Sequence, residues 1–311
     1  MVRPDCRQTA LQQTAIPSKI TFDLINRGLV MDPLVSHDWL SAHLDDPDLV
    51  VIDCTNFADW SNEMGLYRTT SGRDHWADEH IAGSRHADFT TPGFTGDASQ
   101  FRNTLPDPQD FADAMARLGV HAGARVVLYD DAASLWACRV WWMLRWIGFD
   151  KAAVLDGGWQ NWDANGGRVS ETSDPINPAQ LTSSLCPDLF VTRDDVVAVV
   201  KAGSVLIDAL SEGQFLGREA ELGLRGHIPT AINIPGAGLI DLISECFEPL
   251  NTLAARFPQD HTKPAIVYCG SGVAAASVAF TMIRLGFEDV AIYMPGLQEW
   301  ITHPDARVIH G

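Results

Sequence analysis

The sequence predicts an α/β protein of two similar domains, each a mainly parallel sheet covered by helices on both faces. Three observations carry that prediction. Short, β-branched apolar runs alternate with helical stretches, the pattern of strands buried on both faces. The runs recur in the same order in two halves of the chain. The length, 311 residues, suits two domains of roughly 100–200 residues each.

The elements follow in order. Residues 1–30 mix polar residues with an isolated Pro17 and show no period, so they are expected to form an N-terminal extension ahead of a domain start at Met31. Each half opens on a helix N-terminus, Val35-Ser36-His37-Asp38 and then Val191-Thr192-Arg193-Asp194, with Ser36 and Thr192 as N-cap types. A strand ending in aspartate comes next, Leu49–Asp53 and Val205–Asp208. A His-Ile phrase follows, at His80-Ile81 and His227-Ile228. The later strands also match, Arg125–Tyr129 with Pro264–Tyr268 and Ala152–Leu155 with Val290–Tyr293. Each half closes on a similar helix, Gly158-Trp159-Gln160-Asn161-Trp162 and Gly296-Leu297-Gln298-Glu299-Trp300. The offset between halves drifts from 156 residues (Val35 to Val191) to 138 (Gly158 to Gly296), so insertions separate them. The expected organisation is an extension over 1–30, a first domain over 31–165, a linker over 166–188 and a second domain over 189–311.

Composition narrows the function. Apolar residues make up 46% and charged residues 20%, enough for packed cores. Lys+Arg number 22 against 40 Asp+Glu, a formal charge of −18, which repels nucleic acid and anionic lipid. The most apolar stretch, from Ser134 to Phe149, is interrupted by Arg139 and Arg145 and does not read as a membrane span. Arg3 and Arg7 precede no apolar segment, which argues against a secretory signal, and Asp5 and Asp23 argue against a transit peptide. The six cysteines form no C-x-x-C pair and read as reduced thiols of a cytoplasmic protein, with no metal site and no cofactor expected.

In open α/β sheets, ligands bind beyond the carboxyl ends of the strands. There the second half reads Tyr268-Cys269-Gly270-Ser271-Gly272-Val273-Ala274 before a helical run. A cysteine placed between a buried strand and a helix N-terminus meets converging backbone N–H groups, which favour thiolate and an anion held on sulfur. Gly270 and Gly272 would let the backbone curl around that sulfur. The first half is an internal control. Asp130 stands opposite Cys269, followed by Asp131-Ala132-Ala133-Ser134, one residue longer and without glycine. One half is built for chemistry and the other for support.

The tandem layout, the His80-Ile-Ala-Gly and His227-Ile-Pro-Thr phrases and the Cys269-Gly-Ser-Gly-Val loop resemble the two-domain sulfurtransferases of the rhodanese superfamily, from roughly Met31 to Ile309. Thiosulfate-using members carry Cys-Arg-Lys-Gly-Val-Thr and mercaptopyruvate-using members Cys-Gly-Ser-Gly-Val-Thr; this loop matches the second until Ala274 replaces Thr. The resemblance implies two rhodanese-like domains and a ping-pong cycle. In it Cys269 takes a sulfane sulfur from 3-mercaptopyruvate or thiosulfate and passes it to a thiol, cyanide or a thioredoxin-like acceptor. Gly270, Ser271, Gly272, Val273 and Ala274 would line the donor site. The match departs elsewhere: the carboxylate-binding arginine of the mercaptopyruvate group falls on Leu216. The histidine of that family's Cys–Ser–His–Asp relay falls on Asn103 and its aspartate on Thr90.

Arg218 and Arg225 flank the loop entering the active face and are the candidate partners for carboxylate or thiosulfonate oxygens. His80 and His227 recur in both halves, including the one without a nucleophile, and so read as structural. The same holds for Asp53 and Asp208 as strand-end acceptors, and for Trp141, Trp142, Trp146, Trp159, Trp162 and Trp300 as core or interface. A phosphatase of the Cys-x5-Arg type is excluded, because Ala275 stands where the phosphate-clamping arginine must be. A persulfide carrier or binding protein without turnover is the alternative to an enzyme.

Overall fold

A computed structural model describes residues 31–59, 68–173, 175–177, 179–202, 204–219 and 225–311. The expected N-terminal extension over 1–30 lies outside the described residues. Strands β1 (Leu34–Val35), β2 (Leu49–Asp53), β3 (Arg85–His86), β4 (Arg125–Tyr129) and β5 (Ala152–Leu155) form one sheet in the order β1-β5-β4-β2-β3. Strands β6 (Phe190–Val191), β7 (Val205–Asp208), β8 (Ile232–Asn233), β9 (Ala265–Tyr268) and β10 (Val290–Tyr293) form a second, in the order β6-β10-β9-β7-β8. Every pairing in both sheets is parallel, so the repeat read in sequence is a repeat of topology. The central strands are apolar along their length because helices cover both faces.

Local chemistry starts the helices where expected. Ser36 Oγ accepts from the N–H of Trp39 at 3.2 Å, and Thr192 Oγ1 from the N–H of Asp195 at 3.4 Å. His80 and His227 do the same work in the two halves. Nδ1 of His80 bonds the carbonyl of Trp76 (2.6 Å) with the ring stacked on that indole, and Nδ1 of His227 bonds the carbonyl of Phe215 (2.8 Å) with the ring stacked on that phenyl. Asp53 and Asp208 accept the N–H groups of Thr55 (2.7 Å) and Leu210 (2.8 Å) at their strand ends. An antiparallel hairpin, Asn56–Asp59 with Arg68–Ser71, also projects from the first half, and the sequence pattern did not announce it.

The two halves share one interface. Helix α1 (Leu135–Trp146) and helix α2 (Val273–Arg284) pack against one another, with the rings of Trp141 and Phe280 at 4.9 Å and nearly perpendicular. Each is flanked by its own sheet and by the other helix, which explains why both are apolar nearly all round. The most apolar stretch of the sequence is therefore a core helix, and no described helix is long and apolar enough to cross a membrane. Its Arg139 is fully buried and donates to Asn103 O (2.6 Å) and to Met294 Sδ (2.9 Å), one partner from each half. Cys54, Cys138, Cys186 and Cys269 are free thiols.

Candidate active site

Cys269 follows the last residue of β9, and α2 begins four residues later. The chain reverses between them on Gly272, whose φ of +79° lies in the left-handed region and whose missing side chain leaves room for the Met294 sulfur. Gly270, expected to share that duty, has no left-handed backbone. The turn brings the N–H of Gly272 to 3.0 Å from Cys269 Sγ, joined by the N–H groups of Ser271 and Ala275. A second loop pins the cradle from behind. The N–H of Leu297 donates to Cys269 O (2.8 Å) and that of Gln298 to Gly270 O (3.3 Å), with left-handed Gly296 pressed against the Cys269 carbonyl.

The electrostatics differ from the sequence expectation. Cys269 is 3% exposed, and burial pushes its thiol above the ordinary value. The N–H groups of Ala275, Ser271 and Gly272 pull it back, while the Asp208 carboxylate, itself pushed up to about 6 by burial, raises it further. Desolvation thus outweighs the N–H cradle, and the resting group is a thiol where the helix-N-terminus argument alone favoured thiolate. No cationic side chain is among the strongest influences on the sulfur.

The structure brings Cys269, Gly270, Ser271 and Gly272 together at the cradle, with Val273 and Ala274 half-buried at the start of α2. It does not draw in the two arginines. Arg218 and Arg225 are exposed, and neither side chain has a hydrogen bond or ion pair among the described residues. Leu216, at the position of the family's arginine, lies beside the C-terminal Gly311.

Sequence reasoning missed what the first domain delivers. Asn103 Nδ2 donates to Ser271 Oγ at 3.2 Å, and Asn103 Oδ1 accepts from Thr69 Oγ1 at 3.0 Å. The second partner is therefore Thr69, from the hairpin, and not Thr90, whose hydroxyl donates to Asp88 Oδ1 at 2.6 Å. Thr90 follows Asp88 by two residues and satisfies it locally, so it has no need of a distant partner. Gln298 clasps the backbone of Arg102, accepting its N–H (3.1 Å) and donating to its carbonyl (2.9 Å). Asn103 was legible as the counterpart of a family residue; Thr69, Gln298, Arg139 and Met294 carried no motif.

The family described as rhodanese-like domain matches residues 36–165 and 192–303. A thiosulfate/3-mercaptopyruvate sulfurtransferase from Arabidopsis thaliana is 31% identical over 328 residues, covering 96% of this chain and 83% of the relative. A 3-mercaptopyruvate sulfurtransferase from Escherichia coli is 29% identical over 279 residues, covering 88% of this chain and 96% of its own. The crystal structure of SseA from Escherichia coli superposes with a TM-score of 0.72 at 30% identity, over 85% of this chain and 98% of that one. Tum1 from Saccharomyces cerevisiae shares the fold, with a TM-score of 0.76 at 21% identity over 89% and 97% of the two chains.

Proposed function

Because the chain belongs to the rhodanese-like domain family and is a sulfurtransferase with two such domains, we propose that Cys269 carries the transferred sulfur as a persulfide. The observation that carries this reading is the Cys269 sulfur itself, held at the end of a buried strand by the N–H groups of Ser271, Gly272 and Ala275. Three fixed donors on one sulfur suit a charge that develops there during transfer and stays on the terminal sulfur afterwards.

The chemistry balances for both donors. With 3-mercaptopyruvate, the Cys269 thiolate attacks the donor sulfur, the carbon–sulfur bond breaks, and the enolate of pyruvate leaves. The proton of the donor thiol passes to that enolate carbon, giving pyruvate and the Cys269 persulfide anion. With thiosulfate, the sulfur–sulfur bond breaks and sulfite leaves with the bonding pair. In the second half-cycle a thiol, cyanide or a thioredoxin-like protein attacks the outer sulfur and regenerates the thiolate. The raised thiol means that a proton must leave Cys269 before attack, and an incoming anionic donor cannot be the driving force for that loss.

Gly270, Ser271, Gly272, Val273 and Ala274 form the donor site in this reading, with Arg218 and Arg225 as the nearest exposed cations in sequence to Leu216. The two domains are taken as 31–165 and 189–311 with 166–188 linking them, and the protein is placed in the cytoplasm, where thiol acceptors abound. The test is intact-mass and peptide analysis after incubation with a sulfane-sulfur donor. One added sulfur on Cys269, removable by cyanide and lost in Cys269→Ser, is expected. Uptake of that sulfur by another cysteine in Cys269→Ser would sink the assignment, and loading without repeated turnover would identify a carrier.

A further inference from the structure

The cradle has a rim of small residues. After β8 the chain passes through a 3₁₀ turn, Gly236–Leu239, at the same strand-end edge of the sheet as Cys269. The Gly236 N–H donates to Ala209 O at 3.0 Å, and the Ala209 N–H donates to Tyr268 O at 2.8 Å, so the turn is tied to the strand end that carries Cys269. On its other side Gly236 packs on the first turns of α2, where any side chain would press on Ala274 and Ser277. Arg256 lies across this turn. It follows the short helix Leu250–Ala254 and donates through Nη1 to the Gly238 carbonyl. Two residues of a 3₁₀ turn, roughly 4 Å of rise, separate Gly238 from Gly236. Arg256 is exposed, and among the described residues its guanidinium has no ion pair and no acceptor besides that carbonyl.

We propose that Arg256 is a specificity-determining residue of the donor site: from the rim of the Cys269 cradle it holds the oxygen-bearing, anionic end of the sulfur donor. The proposal rests on the reading of Cys269 as the sulfur-carrying nucleophile. Both donors are anions, and a chain with 22 Lys+Arg against 40 Asp+Glu repels them unless a local cation draws them in. Several of its arginines already face carboxylates, among them Arg125 with Asp46 and Asp48, Arg168 with Asp45 and Arg193 with Asp305. Arg218 and Arg225 have no ion pair either, but no hydrogen bond ties their side chains to the cradle, whereas Arg256 is bonded to the turn that touches α2. A guanidinium presents paired N–H groups that match two oxygens of a carboxylate or of a sulfonate-like group, and most of those donors are open here. Its place beyond the first turn of α2 lets it act on the bound donor and not on the sulfur, which agrees with the absence of a cation among the strongest influences on Cys269. Its charge adds to the positive end of that helix.

The experiment compares the full chain of the parent with Arg256→Ala, Arg256→Gln, Arg256→Lys and Lys201→Ala, the last removing an exposed cation from the end of helix Arg193–Ala202. One readout is kcat and KM for 3-mercaptopyruvate and for thiosulfate. The other is the rate at which anionic iodoacetate alkylates Cys269 divided by the rate for neutral iodoacetamide, taken from mapped peptides because Cys186 is also exposed. Arg256→Ala and Arg256→Gln are expected to raise KM for both donors about 3–10-fold, with kcat within twofold, and to lower the alkylation ratio by a similar factor. Arg256→Lys keeps most of the parent's behaviour, and the differences shrink as salt rises toward about 0.5 M. Lys201→Ala leaves both readouts unchanged. A KM and an alkylation ratio within about 1.5-fold of the parent in Arg256→Ala overturn the proposal. So does a parental KM in Arg256→Gln, which keeps an amide donor for Gly238 without the charge, since the residue would then only pin the turn. An equal shift in Lys201→Ala assigns the effect to net charge and also overturns it. A parent that turns over neither donor, with the alkylation ratio still falling in Arg256→Ala, instead removes the sulfur-transfer reading and leaves the anion-holding role of Arg256 standing.

Discussion

Asp130 and Cys269 stand at the ends of equivalent strands and occupy equivalent cradles. The Asp130 carboxylate accepts the N–H groups of Ala137 (2.7 Å), Ser134 (2.8 Å) and Ala132 (2.9 Å), as the Cys269 sulfur accepts those of Ala275, Gly272 and Ser271. The first loop is one residue longer, and the Asp130 carboxylate oxygens lie one bond further from the backbone than the Cys269 sulfur. One domain thus fills this N–H cradle with a carboxylate, and the other fills it with a cysteine sulfur.

Asp130 makes folding pH-dependent. Burial pushes its carboxyl up to about 6 despite the three N–H groups, so the folded state holds the proton more tightly than the unfolded chain. Stability from this group is fully present below about pH 4 and is lost as pH rises through about 6. Replacing Asp130 by Asn removes that titration, so between pH 4 and 7 the variant should gain on the parent by on the order of 1–3 kcal/mol in denaturant unfolding. A stability difference constant with pH would show that Asp130 is ionised throughout. Turnover of Asp130→Ala should stay within a few-fold of the parent, because this cradle holds no substrate.

Gly272 should tolerate no side chain. Alanine there would carry the left-handed strain of about 1–2 kcal/mol and would press its Cβ on the Met294 sulfur. Expected are a lower melting temperature and a loss of sulfur loading larger than the loss of stability, because the Gly272 N–H leaves the sulfur. Unchanged loading in a folded Gly272→Ala would mean the cradle does not need that donor.

Burial and reagent choice should separate two thiols. Cys186 is exposed, whereas Cys269 is buried and its thiol is pushed up. Iodoacetamide near pH 7 should therefore label Cys186 ahead of Cys269, and the Cys269 rate should keep rising with pH beyond the range of an ordinary thiol. A sulfane donor should reverse the order and load Cys269. Peptide mapping after each reagent distinguishes the outcomes, and sulfur on Cys186 alone would contradict the site.

Donor choice should follow charge. Thiosulfate is a dianion, the chain carries a formal charge of −18, and no cation is among the strongest influences on Cys269. 3-Mercaptopyruvate carries less charge near the transferred sulfur and should have the higher kcat/KM. The family resemblance puts Leu216 where the mercaptopyruvate group binds its carboxylate with an arginine, so a loss of roughly 1–3 kcal/mol of binding and a high KM are expected. Leu216→Arg should lower that KM while leaving kcat within a few-fold. Steady-state assays with both donors and a common acceptor decide, and a clear thiosulfate preference would end the charge argument.

The sequence by itself determined the repeat, the strand ends and the place of Cys269 between strand and helix, because each is written in neighbouring residues. Val126-Val127-Leu128 and Ile266-Val267 read as buried strands, Ser36 and Thr192 as caps, and a cysteine before Gly-Ser-Gly as a strand-to-helix turn. It overstated the thiolate, since helix and N–H effects are local while desolvation depends on what the whole fold lays over Cys269. Only the tertiary structure decided which groups reach the site from the other domain. Asn103 meets Ser271 across 168 residues of sequence, Arg102 meets Gln298 across 196, and Arg139 meets Met294 across 155. Pairs so distant leave no periodic or motif signal in one chain. They exist because α1 and α2 pack face to face, and that packing brings a supporting domain into hydrogen-bond reach of the sulfur.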